Sequence, residues 1–340
     1  MNLKQMARRM ALTAAVVLAL GLVRNGPAAD ADPIRFGVLP VVDTLPLWVG
    51  LEEGLFLDQG IEIEMVSFQS ALERDAALQA GRIDGYFGDI LNTILLIAAG
   101  QDIKIINAVF HTHPAYRMFG VAAAPGTGIG RIEDLENRQV AISRATVIEY
   151  LLDRMLTAEG LKSDYVAKQE IKKMAIRLQM LLAGKVSAAL LPEPLLSLAE
   201  SKGAAVVLDD RRLDTTLTVL ALDMDVVARD PRLVEGFRRG YDRAVARINR
   251  DPDAFKDLLA RRTRFPEPIR ERYRVPLFTG AAAPPAGDVE RVQQWLIEKG
   301  LIGQALPYSQ VVLPSIVDPA KLQSKRSAEE QIGAKPKASS

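Results

Sequence analysis

The sequence predicts an α/β fold made of two similar lobes, and three observations lead there. Short β-branched or alternating segments take turns with helical ones from residue 34 to residue 209, the pattern of strands joined by helical crossovers. Glycines 54, 81, 160 and 184 each close a helical segment, where a left-handed residue ends a helix without steric cost. A unit near residue 80 recurs near residue 183 with the same order of residue types. The alternation argues for largely parallel sheets.

Taken in order, IRFGVLPVV (34–42) is β-branched and apolar, a strand that runs into a proline turn. PLWVGLEEG reads as a short helix closed by Gly54, and IEIEMVSF (61–68) alternates as a half-buried strand does. Ser70-Ala71-Leu72-Glu73 is a capping box that opens a helix stopping at Gly81. IDGYFG, ILNTILLIAAG and IKIINAVF then read as strand, helix and strand. After Pro125 the alternation resumes with the strand RQVAIS, a helix from Thr146 to Glu159, a helix from Lys172 to Ala183, the strand SAALL, a helix to Lys202 and the strand AAVVL. From Asp230 onward the chain reads as mostly helical, and the Lys-, Ser-, Ala- and Gln-rich stretch 321–340 reads as a disordered tail.

The repeat locates a site. LQAGRIDGYFGDILNTILL (78–96) and LLAGKVSAALLPEPLLSLA (181–199) align at a constant offset, as helix, Ala-Gly, base, strand, acid, helix. Asp89 and Glu193 fall within one residue of equivalent positions, each just past a strand. Ligands of open α/β sheets bind beyond the carboxyl ends of strands, so two facing lobes would form a cleft there.

Composition narrows the functions. The 340 residues are 49% hydrophobic and 25% charged, with net charge +1 and 6% aromatic residues, which favours neither nucleic acid nor an anionic membrane surface. Cysteine is absent, which removes disulfides, thiolate metal sites and cysteine nucleophiles. His111 and His113 are the two histidines and have no acidic cluster beside them in sequence, so no metal site or cofactor is expected. Lys4, Arg8 and Arg9, an apolar run from Met10 to Val23, and Ala29-x-Ala31 have the order of an export signal cleaved near Ala31. An uncleaved anchor is the alternative, although the run is short for a span.

PLWVGLEEGLFLDQGIEIE (46–64), LQAGRIDGYFGD (78–89), LLAGKVSAALLPEP (181–194), DPRLVEGFRRGYDRAVARINRDP (230–252), WLIEKGLI (295–302) and YSQVV (308–312) together resemble the periplasmic solute-binding proteins of ABC importers. The resemblance is to the nitrate/sulfonate/taurine-type group, which includes thiamine-pyrimidine-precursor binders. It implies a bilobed, type II periplasmic-binding-protein-like fold, with crossovers near 112–120 and 215–224 and a ligand cleft between the lobes. The expected organisation is a signal peptide (1–31), the first part of lobe 1 (32–114), lobe 2 (115–220), and a return to lobe 1 with C-terminal helices (221–320). The implied protein is a periplasmic, monomeric binder and not an enzyme. Its partners are a small-molecule ligand and a membrane permease, with no nucleic acid. A ligand sensor for a membrane receptor is the alternative to transport.

Nine residues are candidates for the ligand site. Asp43 and Thr44 offer hydrogen bonds after the first strand, and Trp48 offers either a stacking face or a core ring. Asp89 and Asn92 border a helix start, where Asp89 serves equally as a cap. Ser143 and Thr146 flank another helix start, whose free N–H groups suit an anionic or carbonyl group. His111 lies near the first crossover. Glu193, held between Pro192 and Pro194, is either a preorganised ligand contact or a helix cap. Asp43, Asp89 and Glu193 together predict an acid-lined pocket for an aminopyrimidine-like or other N–H-bearing heterocycle. A sulfonate, nitrate or similar anion is the alternative.

Overall fold

The computed structural model describes residues 32–313 apart from Pro231, Arg264 and Pro266. The expected export signal with its cleavage near Ala31 and the expected tail over 321–340 lie outside the described residues.

Ten strands form two five-stranded sheets. The first contains β1 (Ile34–Val38), β2 (Ile63–Ser67), β3 (Gly85–Gly88), β4 (Ile103–His111) and β10 (Thr216–Asp223), in the order β2-β1-β3-β10-β4. The second contains β5 (Phe119–Ala123), β6 (Gln139–Ile142), β7 (Ala167–Glu170), β8 (Ala188–Pro192) and β9 (Ala205–Asp209), in the order β7-β6-β8-β5-β9. The two orders are the same topology. In each sheet three parallel strands are followed by one antiparallel strand that has just arrived from the other lobe. The sheets are therefore mixed rather than largely parallel. A strand delivered by a crossover enters from the far end, and alternation along the chain carries no signature of that reversal.

The repeat is reproduced strand for strand. Gly85 and Tyr86 of β3 pair with Phe36 and Gly37 of β1, and Ala188 and Ala189 of β8 pair with Val140 and Ala141 of β6. On the other side Tyr86 faces Ala221 and Ala189 faces Ala122. The offset of 103 that carries Leu78 onto Leu181 therefore also carries β3 onto β8.

Helices follow the strands as the capping signals predict. In the first lobe they are α1 (Leu45–Glu52), α2 (Ala71–Gln79) and α3 (Ile90–Ala98), and in the second α4 (Val147–Ala158), α5 (Met174–Leu182) and α6 (Leu195–Ser201). Ser70 accepts from the Glu73 amide at 3.3 Å, while the Glu73 carboxylate takes the amide of Gln69. The return segment is helical, with α7 (Met224–Arg229), α8 (Leu233–Arg250), α9 (Lys256–Thr263), α10 (Glu267–Arg270), α11 (Ala286–Glu298) and α12 (Tyr308–Val311). On α8 a buried stripe through Phe237, Tyr241, Ala244 and Ile248 recurs at helical spacing, and Phe237 meets Phe36 and Phe56 of the first lobe.

Two crossovers join the lobes, residues 112–118 and 210–215. Residues 216–223, within the expected second crossover, are instead β10, which lies between β3 and β4 and is buried from Thr216 to Leu222. The crossovers are stitched to each other. Thr112 and Thr215 exchange hydrogen bonds, and the Asp210 carboxylate accepts from the amides of Met118 and Phe119 at 3.0 and 3.2 Å. No described helix is long and apolar enough to cross a membrane.

Candidate functional site

Between the sheets lies a cavity of about 60 Å³. Its first-lobe wall comes from the segments after β1 (Leu39, Val41, Asp43) and β3 (Asp89) and from the start of α2 (Ser70, Arg74). Its second-lobe wall comes from the segment after β6 (Ser143, Thr146) and from Lys172 and Arg177 at the start of α5. Carboxyl ends of strands from both lobes thus meet over one space.

Of the sequence candidates, the fold brings Asp43, Asp89, Ser143 and Thr146 together on this cavity. Asp89 also caps α3, accepting from the Asn92 amide at 2.8 Å, and Thr146 caps α4, accepting from the Ile148 amide at 3.2 Å. For these two residues the capping role and the cavity position coexist. Asp43 is buried and its Oδ2 has no hydrogen-bond partner. Thr218 stands close enough to ease its charge slightly, yet its hydroxyl completes no bond with the carboxylate. Burial pushes the Asp43 carboxyl up to about 6. Burial also takes Asp89 up to about 6, against the lowering effect of the Arg74 charge and the Asn92 amide.

The remaining candidates lie elsewhere. Thr44 is fully buried and donates to the Val41 carbonyl at 2.8 Å, without capping α1. Trp48 is a core ring, with the Arg262 guanidinium 4.5 Å from its centroid. Asn92 sits behind Asp89 and donates to Asp75 at 3.1 Å. His111 belongs to the crossover region, its Nε2 2.6 Å from Asp214 Oδ1 and its Nδ1 3.4 Å from Thr216 Oγ1 and 3.7 Å from Asp288.

Glu193 lines a second pocket. Pro192 lines the inner cavity, whereas Glu193 lines a separate, open pocket of about 530 Å³ with Tyr116, Arg117, Ser197 and Tyr273. The Val42 amide of the first lobe donates to the Glu193 carbonyl of the second at 3.4 Å. The Glu193 carboxylate is already engaged, by Arg117 Nε at 3.0 Å, the Ser197 amide at 3.1 Å and the Ser197 hydroxyl at 2.9 Å. It thus secures the first turn of α6, which begins at Leu195 with Pro194 as the preceding residue. The Glu193–Pro194 peptide is cis. Burial raises the Glu193 carboxyl, and Arg117 opposes that rise.

Two buried arginines missing from the sequence candidates also line the cavity. Arg74 and Arg177 are buried at 0% and 1% exposure. Arg74 is fully engaged. Its Nε and Nη2 donate to Asp75 at 2.9 and 2.5 Å, its Nη1 donates to the Phe87 carbonyl at 2.7 Å, and it lies 4.4 Å from the Tyr86 ring centroid. Gly88 makes room for this stack, since a Cβ there would stand 2.4 Å from the Tyr86 ring. Arg177, by contrast, has no partner at Nε or Nη1. Burial is the one influence acting on it, and it takes the guanidinium down to about 10. The sequence did hold a signal: Met174, Arg177, Leu178 and Leu181 form the buried stripe of α5, and an arginine on such a stripe has no water to satisfy it.

Among the described residues no group of three His, Cys, Asp or Glu side chains could hold a metal ion. Of the residues lining the cavity, Asp43 at Oδ2, Thr218 at Oγ1 and Arg177 at Nε and Nη1 have polar atoms without a protein partner.

Two mixed α/β sheets of matching topology, joined by two crossovers around an enclosed cleft, define the periplasmic-binding-protein fold. Solved structures agree. The alkanesulfonate-binding protein SsuA from Xanthomonas axonopodis pv. citri, bound to MOPS, is 18% identical with TM-score 0.72, over 85% of this chain and 100% of that one. The ligand-binding component of an ABC-type import system from Staphylococcus aureus is 17% identical with TM-score 0.71, over 84% and 97%. The periplasmic nitrate-binding protein NrtA from Synechocystis PCC 6803 is 13% identical with TM-score 0.67, over 88% and 89%. Curated protein sequences give no match. The model of the NMT1/THI5-like family matches residues 42–255, more than half of the chain, and the chain belongs to that family.

Proposed function

We propose that this chain is an exported, periplasmic solute-binding protein that captures a small polar organic solute between its lobes and passes it to an ABC importer. The observation that carries the reading is the cavity at the facing strand ends, walled by both lobes and lined by residues that hold polar atoms without protein partners. Buried polar groups are satisfied in native proteins, so orphaned atoms facing a cavity indicate a ligand that completes them. Solved structures of like fold include an import-system component and sulfonate- and nitrate-binding proteins, which supports the same role here.

Capture follows from the architecture. Among the described residues the sheets are connected through the paired crossovers, so the lobes can hinge about them and close on a solute. Lys173 of the second lobe reaches Glu73 of the first at 3.0 Å across the rim, one contact that favours the closed arrangement. Asp43 Oδ2 would accept an N–H of the solute, the feature that supports an amine- or amide-bearing ligand. The protein works as a monomer, and no turnover is expected of it. Native mass spectrometry of protein purified without denaturation tests the proposal. A retained small molecule released on unfolding is the expected result, and a preparation that retains none and is stabilised by no metabolite in a broad thermal screen would overturn it.

A further inference from the structure

Arg74 and Arg177 are counterparts. The same offset of 103 that superposes the two repeats places Arg74 on Arg177, and each is the fourth residue of its helix. What differs is every side-chain partner. Asp75, which binds two nitrogens of Arg74, corresponds to Leu178. Tyr86, whose ring lies against Arg74, corresponds to Ala189, and Gly88, which makes room for that stack, corresponds to Leu191. The second lobe has kept the charge and lost everything that neutralised it.

A guanidinium cannot shed its proton in a protein, so burial leaves it charged and in need of an anion. The nearest open space is the ligand cavity, which Arg177 lines. We infer that Arg177 is the residue that reads the solute's charge: from the cavity it binds a singly charged acid group, a carboxylate or sulfonate, which does for Arg177 what Asp75 does for Arg74. This rests on the solute-capture reading above and sharpens it. The solute is an acid, and it carries an N–H donor wherever Asp43 also takes part. The cavity's size fits a compact acid head.

The test supplies the missing partner from inside. Leu178→Asp recreates the first-lobe arrangement and should satisfy Arg177 without any ligand. Arg177→Met removes the charge and keeps the volume, which covers the case in which Leu178→Asp fails to fold. Thermal stabilisation is measured for each protein, freed of retained solute by unfolding and refolding. The probes are acetate and methanesulfonate against their uncharged amides, acetamide and methanesulfonamide, at constant ionic strength. The wild type should respond to the acids at concentrations about tenfold or more below those needed for the amides. Both variants should lose that preference, while the solute-free Arg177→Met protein melts no lower than the wild type. A wild type that does not prefer acids to amides, or an Arg177→Met protein that keeps the preference, overturns the inference. If native mass spectrometry shows the same solute on wild type and both variants, solute capture stands and the role of Arg177 falls.

Discussion

The two lobes present the same helix-strand unit with opposite electrostatic outcomes. In the first lobe Arg74 is closed off by Asp75, the Phe87 carbonyl and the Tyr86 ring, so its charge holds the lobe together. In the second lobe Arg177 sits at the equivalent place among Leu178, Leu181 and other apolar neighbours, with two nitrogens unpaired. A repeated unit fixes the backbone, and the residues around one position decide whether its charge serves stability or binding. An unpaired buried charge is retained at a cost to the solute-free protein, which is reasonable only where something else completes it.

The sharpest break between the two would be in stability. Arg74→Met leaves the Asp75 charge with only its Asn92 hydrogen bond and the Phe87 carbonyl without the guanidinium, and should destabilise by about 3–5 kcal/mol in urea unfolding. Arg177→Met should be neutral or stabilising in the solute-free protein. Equal losses at both positions would erase the contrast.

The next effect is one of pH. Asp43 and Asp89, both on the first-lobe wall, are pushed up to about 6 by burial. Their folded pKa values exceed the ordinary 3.8, so the folded state binds protons more tightly than the unfolded chain. Solute-free stability should therefore rise as pH falls from 7 through 6 towards 4, on the order of 2 kcal/mol per carboxyl. Asp43→Asn should flatten part of that slope in denaturation curves taken between pH 4 and pH 7. A smaller change is expected at Glu193, whose carboxylate serves Arg117 and the start of α6. Glu193→Gln should lower stability by about 1 kcal/mol and leave solute retention unchanged. The smallest effect belongs to the rim. Lys173→Ala removes an exposed ion pair and should cost about 0.5 kcal/mol or less, detectable chiefly as a faster solute off-rate at low salt.

Most of the fold could be read from the chain. The capping box at Ser70, the glycine stops and the repeat all correspond to elements found in place, because each is a local signal with its own mechanism. The antiparallel fourth strand of each sheet could not be read, since pairing direction depends on where the chain enters from the other lobe. The cavity was legible in part. Asp43, Asp89, Ser143 and Thr146 reach it because residues just past strand ends converge wherever strand ends face each other. Glu193 follows the same rule in sequence and lines the second pocket, since Pro192 takes the place on the cavity and the carboxylate is engaged by Arg117.

By itself the sequence determined the element order, the repeat and the class of architecture, all of which follow from hydrophobic period and local turn chemistry. Tertiary structure alone decided the charge of the site. The two arginines are equivalent in the repeat, and whether a guanidinium is satisfied depends on which groups, near and far in sequence, stand around it after folding. Asp75, Phe87 and Tyr86 engage one, and the other has no partner at Nε or Nη1. Electrostatic environment is a property of assembled neighbours, and that is why an acid-lined pocket in the sequence becomes, in the fold, a cavity with a waiting cation.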